Sequence, residues 1–297
     1  MIFKSKTVNL DITHRCTLQC AKCSRQDPNY VYDKRDTTLE EFDKITDYYQ
    51  EIIFCGQISD PIFHPQFDEF LKMCKDKKVF AEVHTAASHR KKEQYKKFFE
   101  ANTDAKWVFG IDGLPKDSHK YRINQDGEYL FDIMLLAKKE YDINVSWQYI
   151  VFPYNEDDLF TAMGIARDND INFLIIESSR FDDEEQLPDL NNKQYEMVYD
   201  FKPQCISAEK EHGHTSKGFV LPCCWSDVNK NQIPELTLDH LSLTNADNID
   251  TIITSKEWTD FAERLKTNPP EYCKRYCGYK KKTSIRSEIN FNDRKYW

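Results

Sequence analysis

The chain has no run approaching the roughly 18 apolar residues that a membrane span needs, which argues against a bilayer-embedded protein. Its opening, "MIFKSKTVNLDITHRC", has neither an apolar h-region nor a small-residue cleavage site, so the cytoplasm is the expected compartment. Basic charge is short as well: 41 Lys and Arg stand against 50 Asp and Glu, a formal charge of −9. That balance disfavours a protein whose affinity comes from neutralising phosphates, and nucleic acid is not an expected partner. Internal repeats and long low-complexity tracts are absent too. What is left, 40% hydrophobic and 13% aromatic over 297 residues, is ordinary globular composition with enough chain for a sizeable core in one domain or two.

Cysteine is plentiful: there are ten. In a reducing compartment these are poor disulfide candidates and better metal ligands or packing residues. Cys16, Cys20 and Cys23 crowd into "THRCTLQCAKCSR".

Six short runs rich in β-branched and aromatic residues, "TVNLDIT", "EIIFCG", "VFAEVHT", "KWVFGIDG", "SWQYIVF" and "NFLIIES", are separated by room for helices. In "TTLEEFDKITDYY", Thr38 and Glu41 form a capping box, and Leu39, Phe42, Ile45 and Tyr49 share a face. "PQFDEFLKMCK" puts Phe67, Phe70, Leu71 and Cys74 on one face, so Cys74 reads as core. Alternating strands and helices from Thr7 to Glu177 predict parallel strands with right-handed crossovers, an α/β sheet or partial barrel. Reactive groups then sit at strand ends. The three cysteines follow the first strand, Gly56 to Pro61 the second, Thr85 to Ser88 the third, and Asp112 with Gly113 the fourth, which points to one rim and one pocket.

The CxxxCxxC spacing offers three thiols and no evident fourth ligand, although His14 stands two residues before Cys16. A tetrahedral zinc site wants four ligands, whereas three thiolates suit an iron–sulfur cubane with one iron left open. Directly after a first strand, this motif resembles the signature of the radical S-adenosylmethionine (SAM) superfamily. The resemblance implies a partial (β/α)6 TIM-like barrel and a 4Fe-4S cluster whose open iron binds SAM. It further implies reductive cleavage to a 5′-deoxyadenosyl radical that abstracts hydrogen from a substrate, with flavodoxin or ferredoxin as electron donor. "FCGQISDPIFHP" resembles the Gly-Gly-Glu-Pro stretch, which places Gly56, Ser59 and Asp60 at the SAM amino group. "HTAAS" is similar to the Thr-Asn-Gly segment, with Thr85 and Ser88 at the cofactor. "FGIDGLPKDSHKYR" resembles "SIDG", with Asp112 near ribose or substrate, and Arg180 in "IIESSR" is expected at the SAM carboxylate. Lys22 stands where the family often has an aromatic residue, and the glycine pair is broken. Tyr121 and Arg122 lie near the expected pocket, no general acid or base can be named, and Asp112 is the catalytic candidate.

Beyond about Arg180 the composition changes to an acidic, polar stretch, "FDDEEQLPDLNNKQ", which reads as solvated linker, and then to a segment with five cysteines and one clear helix, "SKEWTDFAERLK". The expected division is 1–185 for the barrel and 186–297 for a small cysteine-rich unit with the tail. "CISAEKEHGHTSKGFVLPCCW" and "EYCKRYCG" resemble the SPASM domain and its shorter twitch form. That resemblance implies a hairpin turning around Gly213 to Gly218, and one auxiliary iron–sulfur cluster, also 4Fe-4S, on Cys205, Cys223, Cys273 and Cys277, with Cys224 as packing. Structural zinc on the same thiols is the alternative. Cys55 reads as a buried free thiol, and His84, His119 and His214 as surface or hydrogen-bonded residues. "HRKKEQYKK" reads as a solvated helix face, and the basic, aromatic tail as an extension. SPASM and twitch relatives often modify peptides or proteins, so a peptide is the expected substrate, with a sugar or nucleotide alcohol next. From another class, a non-catalytic zinc or iron–sulfur scaffold remains open.

Overall fold

The computed structural model of the chain describes residues 5–28, 34–177, 195–197, 205, 211–227, 233–270, 273, 279–281 and 286–289. Arg180, Cys277, the acidic linker and the basic tail beyond residue 289 lie outside these residues.

Six parallel strands, β1 (Thr7–Leu10), β2 (Glu51–Phe54), β3 (Phe80–Thr85), β4 (Lys106–Gly110), β5 (Val145–Val151) and β6 (Asn172–Glu177), pair in sequence order. Between them run α1 (Leu39–Tyr48), α2 (Phe67–Lys77), α3 (Lys92–Ala101), α4 (Gly127–Tyr141) and α5 (Leu159–Asp168). This is the α/β alternation that the sequence predicts, in the partial-barrel form that the resemblance implies. The capping box forms as expected: the Thr38 hydroxyl accepts from the Glu41 N–H at 3.2 Å, and the Glu41 carboxylate accepts from the Thr38 N–H at 2.9 Å.

Side chains alternate across the sheet. Phe54, Val83, Trp107 and Trp147 point to the helices, where Phe42, Phe67, Phe70 and Phe99 pack against them in one apolar layer, Phe42 and Phe70 stacked at 4.1 Å. Cys74 is fully buried there, as core. The other face bears Asn9, Ile53, Glu82, His84, Gln148 and Ile150, and it encloses a cavity.

Both edges of the six-stranded sheet are extended by C-terminal segments. β7 (Tyr195–Met197) pairs apart from it with β10 (Tyr279–Lys281). β8 (His212–His214) joins β1 in parallel, β9 (Val220–Leu221) returns antiparallel to β8, and β11 (Arg286–Ile289) lies antiparallel to β6. An open barrel leaves two rows of unpaired backbone groups, and these strands satisfy them. Strands of two or three residues are too short for periodicity to reveal. A hairpin is there, but its turn begins later than expected: Gly213 lies in β8, paired with Leu221, and Gly218 stands in the turn at φ +86°. Arg35 anchors it by donating to the Ser216 carbonyl at 3.1 Å while pairing with Glu41 of the capping box. α6 (Ile249–Ile253) and α7 (Lys256–Thr267) follow; the Ser255 hydroxyl caps α7, which buries Trp258, Phe261 and Leu265 on one side.

His214 on β8 is enclosed, and among the described residues neither ring nitrogen has a hydrogen-bond partner. Burial holds its imidazole down at about 4. The unfolded chain takes that proton near pH 6.5, so stability falls as pH drops from about 6.5 to about 4, by about 3 kcal/mol in all. His214→Leu is expected to flatten this part of the acid limb in urea unfolding at stepped pH. An unchanged limb would show that the ring is solvated or partnered in solution.

Candidate functional site

The loop after β1 is built by backbone bonds rather than by its thiols. Cys23 N–H donates to the Cys20 carbonyl at 3.0 Å, entering a 3-10 turn over Ser24–Gln26, and Gln19 N–H donates to the Ile123 carbonyl at 3.1 Å. Arg25 clamps the loop from inside, donating to the His14 carbonyl and, at 3.1 Å, to the Ile58 carbonyl of the next strand's loop. Cys16, Cys20 and Cys23 all line one cavity of about 440 Å³ at the strand ends, a volume in the range of small-molecule sites. His14 does not line it; its Nδ1 lies 3.2 Å from the Arg35 carbonyl oxygen.

The loop after β2 needs Gly56 at φ +52°, where a Cβ would stand 2.1 Å from the Ser59 carbonyl oxygen. Asp11 holds this loop, accepting from Gln57 N–H at 2.7 Å and from the Ser59 hydroxyl at 2.6 Å. Asp60, buried at the cavity wall, accepts from the Thr85 hydroxyl at 2.9 Å, from Ala86 and Ala87 N–H at 2.9 Å each, and from Ile62 N–H at 3.3 Å. Four donors already occupy the carboxylate expected at the SAM amino group, and Asp60 joins the β2 loop to the end of β3. Thr85 lines the cavity and is spent in the same network. Ser88 does not line it: its hydroxyl accepts from Asp126 N–H at 2.8 Å at the start of α4.

Asp112 is likewise off the cavity wall, wholly buried, with Oδ1 accepting from Ile150 N–H at 2.8 Å and Oδ2 2.7 Å from Arg122 Nε. It is paired with Arg122, which does line the cavity, close enough to Cys20 for each to stabilise the other's charged form. Gly110 makes room for this side chain; a Cβ there would stand 2.7 Å from Arg122 Nη2. Among the described residues Asp112 is the ion-pair partner of Arg122, which leaves the guanidinium fork free for an anion.

Burial, with the Asp60 carboxylate adding to it, pushes the Cys16 thiol up to about 12, and burial raises Cys20 as well. Such thiols hold their protons until a metal displaces them. Among the described residues no three His, Cys, Asp or Glu side chains gather round one point as a single ion requires. A cubane takes each thiolate on a different iron, so three thiols lining one cavity, beside the Arg122 guanidinium, fit a cluster with a carboxylate-bearing ligand.

In the C-terminal segment Cys205, Cys223 and Cys273 are half-buried, and Cys224 is buried, its thiol raised by a hydrogen bond with Cys223 and by burial. Cys55 lines the cavity rather than the core, donating to Asn9 Oδ1. Asp11, Arg25, Glu82 and His84 complete what the sequence reading did not place at the site. The period-2 alternation of β3 was the available signal for Glu82 and His84, once its inner face is known.

No protein-family model and no curated protein matches this chain. Among solved structures it is similar to Streptococcus suis SuiB bound to S-adenosylmethionine, with TM-score 0.62 and 11% identity over 86% of this chain and 67% of that one. The form of SuiB bound to its precursor peptide SuiA gives TM-score 0.61 at 10% identity. anSMEcpe with bound AdoMet gives TM-score 0.58 and 12% identity over 97% of this chain and 93% of that one. At these identities the likeness is one of architecture. With its cysteine loop after β1 and its cavity on the inner face of six parallel strands, the chain shares the fold of these S-adenosylmethionine-bound structures.

Proposed function

We propose that the chain is a radical SAM enzyme, with a peptide or protein as substrate. The observation that carries this reading is that Cys16, Cys20 and Cys23 line one cavity at the strand ends of the fold. When bound, a 4Fe-4S cluster and SAM supply reductive cleavage of the cofactor to a 5′-deoxyadenosyl radical that takes hydrogen from the substrate. The three thiols hold the cluster, Gly56 lets backbone approach the cofactor, and Asp60, Asp11 and Arg25 fix the loops that carry both. Arg122 meets the SAM carboxylate, the role that the sequence assigns to Arg180, which lies outside the described residues. A peptide is favoured because SuiB, of like fold, has been crystallised with its precursor peptide.

The segment 186–297 is the auxiliary unit, with Cys205, Cys223, Cys273 and Cys277 as ligands of a second cluster that accepts the electron left on the substrate or anchors it. Cys224 packs: it is buried, and adjacent residues rarely ligate one metal together.

The test is anaerobic reconstitution with iron and sulfide, followed by SAM and dithionite. About eight irons per chain and release of 5′-deoxyadenosine are expected for two 4Fe-4S clusters. Zinc without iron, or iron without cofactor cleavage, returns the scaffold reading. Oxidation of a sugar alcohol while candidate peptides keep their mass reverses the substrate order.

A further inference from the structure

The cavity has a charged base that the reading above does not use. β3 turns Glu82 and His84 to its concave face two residues apart, and both line the cavity. His84 Nε2 lies 2.5 Å from Glu82 Oε1, and Lys106 Nζ on β4 lies 3.4 Å from Glu82 Oε2. Burial opposes the charge on Glu82, but its bonds to His84 and Lys106 outweigh that and hold the carboxyl at about 2. Its two neighbours therefore favour the charged carboxylate.

An anionic carboxylate accepts a hydrogen bond and cannot donate one, so a neutral His84 carries its proton on Nε2 and keeps a lone pair on Nδ1. Among the described residues Nδ1 has no partner, and the ring faces the cavity. A carboxylate that fixes the tautomer of an imidazole in a pocket wall and leaves its second nitrogen unbonded is the arrangement by which proteins prepare a base. Nothing in the packing requires it here: an aliphatic pair would fill the base of a barrel without burying charge.

We infer that His84, oriented by Glu82, is the proton acceptor of this cavity and serves a substrate group bearing a hydroxyl. In the step the substrate O–H bond breaks, its electron pair stays on oxygen, and the proton bonds to Nδ1, giving an imidazolium paired with the Glu82 carboxylate. The inference rests on the radical SAM reading for its use: a carbon radical beside a deprotonated oxygen gives up its electron more readily than one beside a hydroxyl, and an iron–sulfur cluster on the C-terminal cysteines, when bound, would be the class of acceptor. His84 would then be a catalytic residue and Glu82 a positioning one.

The test uses the full-length chain labelled with nitrogen-15 in histidine, observed by NMR at mildly alkaline pH without cluster or SAM. The expected result is an Nε2–H tautomer for His84, assigned by its loss in His84→Gln, that becomes a tautomer mixture in Glu82→Gln and is kept in Glu82→Asp. Addition of N-acetylserine amide is expected to move the Nδ1 resonance, and N-acetylalanine amide to leave it in place. An Nδ1–H tautomer, a doubly protonated ring, a tautomer indifferent to Glu82→Gln, or equal responses to the two amides overturns the inference. Failure of the native protein to release 5′-deoxyadenosine after reconstitution would overturn the function proposed above while leaving the tautomer result readable, so the two failures are distinguishable.

Discussion

Replacing Cys16, Cys20 and Cys23 together with alanine should lower the reconstituted iron by about four atoms per chain, one 4Fe-4S cluster, and reduce 5′-deoxyadenosine release to background. The expectation follows from how the loop is built. Its shape rests on backbone bonds, Cys23 N–H to the Cys20 carbonyl at 3.0 Å and Gln19 N–H to the Ile123 carbonyl at 3.1 Å, and on the Arg25 clamp to the His14 and Ile58 carbonyls. None of these uses a thiol. The apoprotein of the triple variant should therefore unfold in urea within about 1 kcal/mol of native, a small loss for three half-buried sulfurs. Iron lost with the fold intact would identify the thiols as ligands. A triple variant that still binds the native amount of iron would place both clusters elsewhere and end the radical SAM reading. A Cys223→Ala and Cys224→Ala pair, measured the same way, separates ligand from packing residue in the C-terminal segment, the former losing iron and the latter only stability.

Arg122→Met should be among the most destabilising single changes in the chain, about 3–5 kcal/mol in urea unfolding, because it leaves the carboxylate of Asp112 buried without its counter-charge. Asp112 has no solvent exposure, and Oδ2 lies 2.7 Å from Arg122 Nε. Methionine fills much of the volume of the arginine stem, so the loss measures charge rather than a cavity. Adding Asp112→Asn should restore a large part of it, since the amide oxygen still accepts from Ile150 N–H, now at 2.8 Å to Oδ1, while no charge remains to be paired. A loss under about 1 kcal/mol in the single variant, or no recovery in the double, would mean that Asp112 is already neutral in the native protein. The same variant has a second reading: with the fork gone, SAM should bind the apoprotein more weakly by about tenfold or more in calorimetry, while 5′-deoxy-5′-methylthioadenosine, which has no carboxylate, should bind unchanged.

The sequence by itself determined the order of strands and helices, the capping box at Thr38, the burial of Cys74 and the position of the cysteine loop after β1. These are carried by short-range chemistry: side-chain spacing, a cap three residues from its partner, three thiols within eight residues. The tertiary structure alone decided what each carboxylate is bonded to. Asp60 reads in sequence as a cofactor ligand, yet β3 supplies donors from Thr85, Ala86 and Ala87, some 25 residues away, that turn it into a loop tie. Asp112 reads as a catalytic group, yet it is buried against Arg122 and Ile150, and of the pair it is Arg122 that lines the cavity. Glu82 and His84 are two polar residues in an alternating strand until the curvature of the sheet makes their face the inside. The short strands of the C-terminal segment acquire meaning only beside the open edges of β1 and β6. A pattern along the chain states which side chains share a face, but which face becomes interior, and which donor meets which acceptor, is set by residues that only folding brings together.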